Sequence, residues 1–259
     1  MSGFPPEKEP LALECVNLSK RFGGLDAVNK VNLQVKPGER RAILGPNGAG
    51  KTTFFRLISG EFPVSSGSIR YFGRDITHMA CHRRTHLGLG RTFQITNLFP
   101  TLSVLDNLVL AAMGLIKTKF SMLRPLSTYR NLTLKAMELL DSLGMADRRD
   151  EIIRNLSHGE QREIEIALAL ISNPRLLLLD EPTAGLSPAE SAMITQTVQK
   201  LDRSITILII EHDMDVAFSI ADRITVLHQG CLFAEGSQSE IQQNTGVQAI
   251  YFGTEEKPC

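Results

Sequence analysis

Gly45-Pro46-Asn47-Gly48-Ala49-Gly50-Lys51-Thr52 fits the spacing G-x-x-x-x-G-K-[ST], and its flanks supply the context that pattern requires. Arg41–Leu44 reads as a strand running into the loop, and Lys51–Ser59 reads as a helix leaving it and stopping at Gly60. Gly45, Gly48 and Gly50 let the main chain wrap an anion without Cβ clashes, so that successive N–H groups point inward. Pro46, Asn47 and Ala49 complete the cradle. The helix adds its positive N-terminal end. Lys51 brings a movable point charge for the β- and γ-phosphates of ATP. The Thr52 hydroxyl is placed to ligate Mg²⁺, with Thr53 beside it. A glycine turn before a helix can be only a turn; the strand before it and the helix after it argue for phosphate.

Downstream, Leu176-Leu177-Leu178-Leu179-Asp180-Glu181 is an apolar strand ending in two carboxylates. In an open α/β sheet, ligands bind beyond the carboxyl ends of the strands. Two adjacent acids are costly to hold close together unless a cation sits there. Asp180 is therefore expected to hold Mg²⁺, directly or through water, and Glu181 to polarise an attacking water. The plain alternative, a solvated strand end, is weakened by the phosphate loop upstream.

Residues 12–44 read as short strands. Ala12–Leu18 and Val31–Val35 alternate, with turns at Gly23-Gly24 and Pro37-Gly38. Residues 95–172 differ: Val104–Met113, Leu132–Leu143 and Gln161–Ile171 carry apolar residues at helical spacing, separated by turn-rich stretches such as Leu123–Ser127. This predicts a helical insertion. Then come strand Leu176–Leu179, a helix after Pro188, strand Ile205–Ile210, a helix near Met214–Ala221, and a hairpin from Arg223–His228 through Gln229-Gly230 into Cys231–Ala234. Strands alternating with helices imply a mostly parallel sheet. Within the insertion, Ser157 with Glu160 three residues on is a capping box. It opens a helix whose apolar stripe is Ile164, Ala167, Leu168 and Ile171.

Lys plus Arg (28) equals Asp plus Glu (28), so no global field draws in nucleic acid, and none is expected as a partner. An apolar fraction of 42% with 22% charged residues suits a soluble globular chain. No stretch approaches the 18 or so apolar residues of a membrane span, and Met1–Pro10, with Glu7, Lys8 and Glu9, does not read as a signal peptide. The four cysteines show no paired spacing, which suggests a reducing compartment and neither a disulfide framework nor a zinc site. His78, His82 and His86 would share one face of a helix and could bind a transition metal. Arg83 and Arg84 among them, and Gly88 and Gly90 after them, favour a solvated helix instead.

With Gly45–Thr53 and Leu176–Pro182 in hand, Leu156-Ser157-His158-Gly159-Glu160-Gln161 resembles the signature LSGGQ of the ATP-binding-cassette (ABC) transporter ATPases. The resemblance covers residues 12–253. It implies a P-loop NTPase (RecA-like) α/β fold. The expected parts are a parallel-sheet core, an N-terminal antiparallel β subdomain and an inserted α-helical subdomain. Residues 12–94 and 173–253 would form the catalytic lobe and 95–172 the helical lobe, with tails at 1–11 and 254–259. Phe22 would stack on adenine with Val28 beside it, core packing being the rival for both. Gln94 would be the Q-loop glutamine that links Mg²⁺ to the helical lobe. Ala184–Pro188 sits where the family has its D-loop, and His212 matches the switch histidine that contacts the γ-phosphate. Ser157, Gly159 and Glu160 would reach across a head-to-tail dimer, formed with a second copy or a sister ATPase subunit, toward ATP held by the other chain.

The chain departs from the family pattern at His158 and Glu160 in the signature, at Ser187 where many members have Asp, and at Leu168 where many have Arg. None removes a group needed for phosphoryl transfer. Within the family, Arg21–Val28, Arg91–Gln94, Leu98-Phe99, Leu105–Leu108, Ile210–Met214, Ala234–Ser237 and Ala249–Gly253 resemble the ATPases of branched-chain amino acid importers. That implies membrane permease partners, an extracytoplasmic solute-binding protein acting indirectly, and a peripheral place on the cytoplasmic face of the inner membrane. Lipopolysaccharide export, uptake of another small amide or aromatic acid, a non-transport ABC ATPase and a soluble P-loop kinase are the alternatives.

Overall fold

The computed structural model describes residues 10–92, 98–115 and 129–252. The strands form two sheets. The antiparallel one runs β2-β1-β4-β5, from β1 (Leu13–Phe22), β2 (Leu25–Val35), β4 (Ser66–Tyr71) and β5 (Arg74–Asp75). The other runs β10-β9-β3-β8-β7-β6 and is parallel except at its β9–β10 hairpin. Its strands are β3 (Arg40–Leu44), β6 (Leu89–Arg91), β7 (Leu176–Asp180), β8 (Thr206–Ile210), β9 (Arg223–His228) and β10 (Cys231–Gly236).

β3, β7 and β8 are buried along their whole length, which explains why β7 and β8 read as aliphatic runs. The period of two along a strand splits them between two cores. Ile43, Leu176, Leu178, Leu208 and Ile210 meet the antiparallel sheet and α1 (Lys51–Ser59). Ala42, Leu177, Leu179, Ile207 and Ile209 face the opposite layer, which includes α6 (Pro188–Lys200) and α7 (Met214–Ile220). A third core joins α3 (Val104–Met113), α4 (Arg130–Ser142) and α5 (His158–Leu170) through residues such as Leu108, Leu140 and Ile164. Helix α5 serves both: Ile164 and Ala167 pack in the helical core, Ile166 and Leu170 against the sheet.

The end of α1 is closed by Arg84 of α2 (Cys81–His86), which is buried and donates to the carbonyls of Leu57 and Ile58 at 2.8 and 2.7 Å, and also to those of Met79 and Thr77. Helix-end carbonyls lacking a partner inside the protein would be costly, and one guanidinium satisfies several. The described residues end in α8 (Gln238–Gln243) and α9 (Thr245–Phe252).

The architecture is the expected one, with three local differences. β1 and β2 are longer than the alternation suggested, with register shifts along their pairing. Only His82 and His86 of the histidine trio lie in α2, and among the described residues no cluster of three or more His, Cys, Asp or Glu forms a metal site. Cys15 and Cys81 are free thiols, whereas Cys231 is disulfide-bonded, where the sequence suggested no disulfide framework.

Candidate functional site

The loop between β3 and α1 is fixed by close backbone packing. A Cβ on Gly45, at φ +146°, would lie 2.1 Å from the Leu227 carbonyl oxygen, and one on Gly50, at φ +96°, would lie 2.3 Å from that of Ala27. Only glycine fits both the conformation and the approach. The β9–β10 turn braces the loop from the side: the Gly230 N–H donates to the Ala49 carbonyl at 3.1 Å, and Asn29 N–H to the Gly230 carbonyl at 2.8 Å. Lys51 is buried, and its Nζ donates to the carbonyls of Gly45 at 2.6 Å and Pro46 at 3.1 Å. Burial lowers its pKa, and the charges of Glu181 and Asp180 work the other way.

A cleft of about 660 Å³ opens over this loop. Its walls hold Asn47 through Thr53, Phe22, Glu181, His212 and the Gln229-Gly230 turn. The structure thus gathers the predicted cradle, acid and histidine from widely separated segments. Phe22 is 43% exposed and makes an edge contact with Phe62 at 5.4 Å, so one face of its ring is available to a flat ligand. Val28 is only 1% exposed and packs in the core. Core packing is the alternative weighed for it, and along β2 the residues lining the cleft are Leu25, Asp26 and Ala27.

At the tip of β7, Asp180 is fully buried. Its Oδ2 accepts from Arg91 Nη2 at 3.0 Å, while its Oδ1 accepts no hydrogen bond from the described residues. Burial raises its pKa, Arg91 opposes that rise, and the Glu181 charge adds to it. Glu181 follows at φ +51°, a left-handed conformation unusual for a side-chain-bearing residue. Its N–H donates to the Ile210 carbonyl at 3.0 Å, and its own carbonyl accepts from Arg162 Nη2 at 3.1 Å. Its Oε1 lies 2.7 Å from His212 Nε2. Behind this pair, Glu211 accepts from the Thr183 N–H and Oγ1 at 3.3 and 3.0 Å, and burial pushes its carboxyl up to about 7.

The donor set suits Mg²⁺. Asp180 offers a buried oxygen with no donor among the described residues, and the Thr52 hydroxyl stands at the start of α1. These are hard oxygen ligands, and Mg²⁺ is held by few protein groups together with phosphates and water.

Ser157, Gly159 and Glu160 do not line this cleft. The capping box is formed: Ser157 Oγ accepts from the Glu160 N–H at 3.3 Å, and Glu160 Oε2 from the Ser157 N–H at 2.7 Å. The Gly159 N–H is taken by Glu190 Oε1 at 3.0 Å, from the first turn of α6. Ser187, the D-loop departure, is the N-cap of that helix and forms a second capping box with Glu190. Gln94 lies outside the described residues. Sequence reasoning missed Arg91, Glu190 and the Gln229-Gly230 turn as neighbours of the site.

Comparison with known proteins agrees with this geometry. The family model described as "ABC transporter" matches residues 28–184. The high-affinity branched-chain amino acid transport ATP-binding protein BraF of Pseudomonas aeruginosa is 37% identical over 248 residues, 93% of this chain and 97% of BraF. LivG of Escherichia coli, of the same description, is 36% identical over 95% of this chain and 98% of its own. The lipopolysaccharide export system ATP-binding protein LptB of Escherichia coli is 35% identical over 93% and 97%. Among solved structures, the ADP conformation of MJ1267, an ATP-binding cassette of an ABC transporter, superposes with a TM-score of 0.85 at 30% identity, covering 94% of this chain and 99% of that one. The dimeric post-hydrolysis state of the cassette MJ0796, bound to ADP and Pi, gives 0.72 at 26% identity, covering 87% and 98%. The chain belongs to the ABC transporter family, as one of its ATP-binding, ATP-hydrolysing cassettes.

Proposed function

We propose that this chain powers the import of branched-chain amino acids, hydrolysing MgATP while docked on permease subunits at the cytoplasmic face of the membrane. The observation that carries the catalytic part is the convergence of the Lys51 loop and the Glu181–His212 pair on one cleft. The transport part is supported by the descriptions of BraF and LivG. No helix among the described residues is long and apolar enough to cross a membrane; in this reading a separate permease carries the solute across. An extracytoplasmic solute-binding protein would deliver the cargo to it.

In this reading Phe22 stacks on adenine and the amides of Gly45 through Thr53 hold the phosphates. Lys51 leaves the Gly45 and Pro46 carbonyls to reach the β- and γ-phosphates. Thr52 and Asp180 would hold Mg²⁺, and Gln94, which lies outside the described residues, is the candidate link from the metal to the helical lobe. When bound, Mg²⁺ neutralises charge that develops on the phosphate oxygens. Glu181 orients the attacking water and takes up its proton, and His212 Nε2 contacts the γ-phosphate. Ser157, Gly159 and Glu160 of a second ATPase subunit close the site from the other side, in a homo- or heterodimer packed head to tail. Hydrolysis removes the γ-phosphate contact that favours closure, because a ligand shifts an equilibrium only by its differential affinity for the two states. Residues 95–172 then act as the lever between nucleotide and permease, and 12–94 with 173–253 as its catalytic base.

Reconstitution with the neighbouring permease and solute-binding protein tests the substrate. Leucine, isoleucine or valine should stimulate ATP hydrolysis and accumulate in the vesicles. The relative LptB supports a second reading: stimulation by lipopolysaccharide-extracting partners, with no response to amino acids, would replace import by export.

A further inference from the structure

We propose that Arg91 is a positioning residue for the metal-binding acid: it clamps one oxygen of Asp180 and thereby aims the other at the bound cation. The inference rests on the reading of Asp180 as a Mg²⁺ ligand and extends it to a residue outside the cradle.

Arg91 ends β6, the edge strand, opposite Leu178 of β7 in the parallel register. Its side chain is only 7% exposed, and the Asp180 side chain is 0% exposed. Its two terminal nitrogens divide the work. Nη2 donates to Asp180 Oδ2 at 3.0 Å. Nη1 donates to Ser59 Oγ at 3.0 Å and to Glu61 Oε1. Ser59 closes α1 and Glu61 follows it, so the guanidinium ties the far end of the cradle helix to the tip of the acid's strand.

A buried carboxylate is costly to keep ionised unless it is paired. A partner that engaged both oxygens would solve that problem and block the metal. Arg91 takes one, and the other oxygen has no donor among the described residues. The planar fork matters: Nη1 is held by groups at the end of α1, so Nη2 approaches Asp180 from a fixed direction. A lysine, with one flexible ammonium, cannot bond both sides at set angles. In this proposal Arg91 acts through Asp180, the acid its Nη2 holds. Groups that orient a metal ligand in this way change metal affinity by roughly 10- to 100-fold when removed.

The test uses the full chain loaded with a non-hydrolysable ATP analogue. Mn²⁺ binding to the complex is read by EPR, and analogue affinity is measured separately in EDTA. R91M should weaken Mn²⁺ binding by about tenfold or more while leaving the EDTA affinity unchanged. R91K, which keeps the charge and serves if R91M folds poorly, should fall between. A bridge that merely braced the fold would lower both affinities together. Native Mn²⁺ affinity in both variants, with D180N defective, would overturn the clamp and leave Asp180 as the ligand. Native Mn²⁺ affinity in D180N would instead remove the ligand reading, and the clamp with it.

Discussion

His212 Nε2 lies 2.7 Å from Glu181 Oε1, although the two residues belong to loops that follow different strands, β7 and β8. The contact places the proposed water-activating carboxylate and the proposed γ-phosphate sensor within one hydrogen bond, at the mouth of the cleft. Parallel neighbouring strands make this possible: Asp180 pairs with Ile210, so the residues just beyond the two strand ends emerge side by side.

Replacing Glu181 by Gln preserves this contact, because the amide oxygen can still accept from the imidazole. What it removes is the base. Glu181→Gln is expected to bind ATP as the parent does, to lose turnover by roughly 10²-fold or more, and to accumulate as a closed ATP-bound dimer in gel filtration. Parent-like phosphate release would exclude Glu181 as the base.

Lys51 makes two hydrogen bonds to loop carbonyls, and in the proposed mechanism it trades them for phosphate oxygens. Lys51→Ala therefore removes a charged hydrogen-bonding group worth roughly 1.5–3 kcal/mol. ATP affinity by calorimetry should fall about tenfold or more, while the thermal midpoint without nucleotide changes little. Equal affinity of variant and parent for ATP would show that the phosphates lie elsewhere.

The parts of the site that were readable in the sequence are those whose chemistry is local. The cradle occupies consecutive residues, the two acids close one aliphatic run, and the capping box of α5 spans four positions. The missed parts are pairings between distant segments. Arg91 and Asp180 are 89 residues apart, and nothing near Arg91 in sequence announces an acid. Glu190 reaches Gly159 across 31 residues. Val28 packs in the core on the inward side of β2, a position that the resemblance alone does not announce. Strand β6 is three residues long and contains a glycine; so short a segment carries no periodicity, and its pairing with β7 fixes it.

Two glycines of the cradle should respond differently to an added methyl group. At Gly45 the Cβ would meet the Leu227 carbonyl at 2.1 Å, whereas at Gly48, φ +80°, it would meet nothing within 4 Å. Gly48→Ala bears only the cost of its left-handed backbone, about 1–2 kcal/mol. Gly45→Ala must also push the loop off β9. Gly45→Ala should lose nucleotide binding and melt at a lower temperature than Gly48→Ala in parallel melting and ATP-titration experiments. The reverse order would mean that the loop does not pack on β9 as described.

Glu211 offers a test through pH. Its carboxyl, 2% exposed, is pushed from 4.5 up to about 7, burial being the main cause, with the hydrogen bonds from Thr183 opposing it. Such a group binds more protons folded than unfolded between those two values, so the stability it contributes is present below about 4.5 and is lost as pH rises through about 7. A tenfold change in proton affinity corresponds to about 1.4 kcal/mol, so the rise from 4.5 to about 7 amounts to roughly 3 kcal/mol in order of magnitude. Glu211→Gln keeps an oxygen to accept from Thr183 but has no charge to desolvate. In urea unfolding the variant should therefore gain on the parent as pH is raised from about 5 to about 8, by a few kcal/mol. A difference between the two proteins that stays constant over that range would mean that Glu211 is not held protonated by its surroundings.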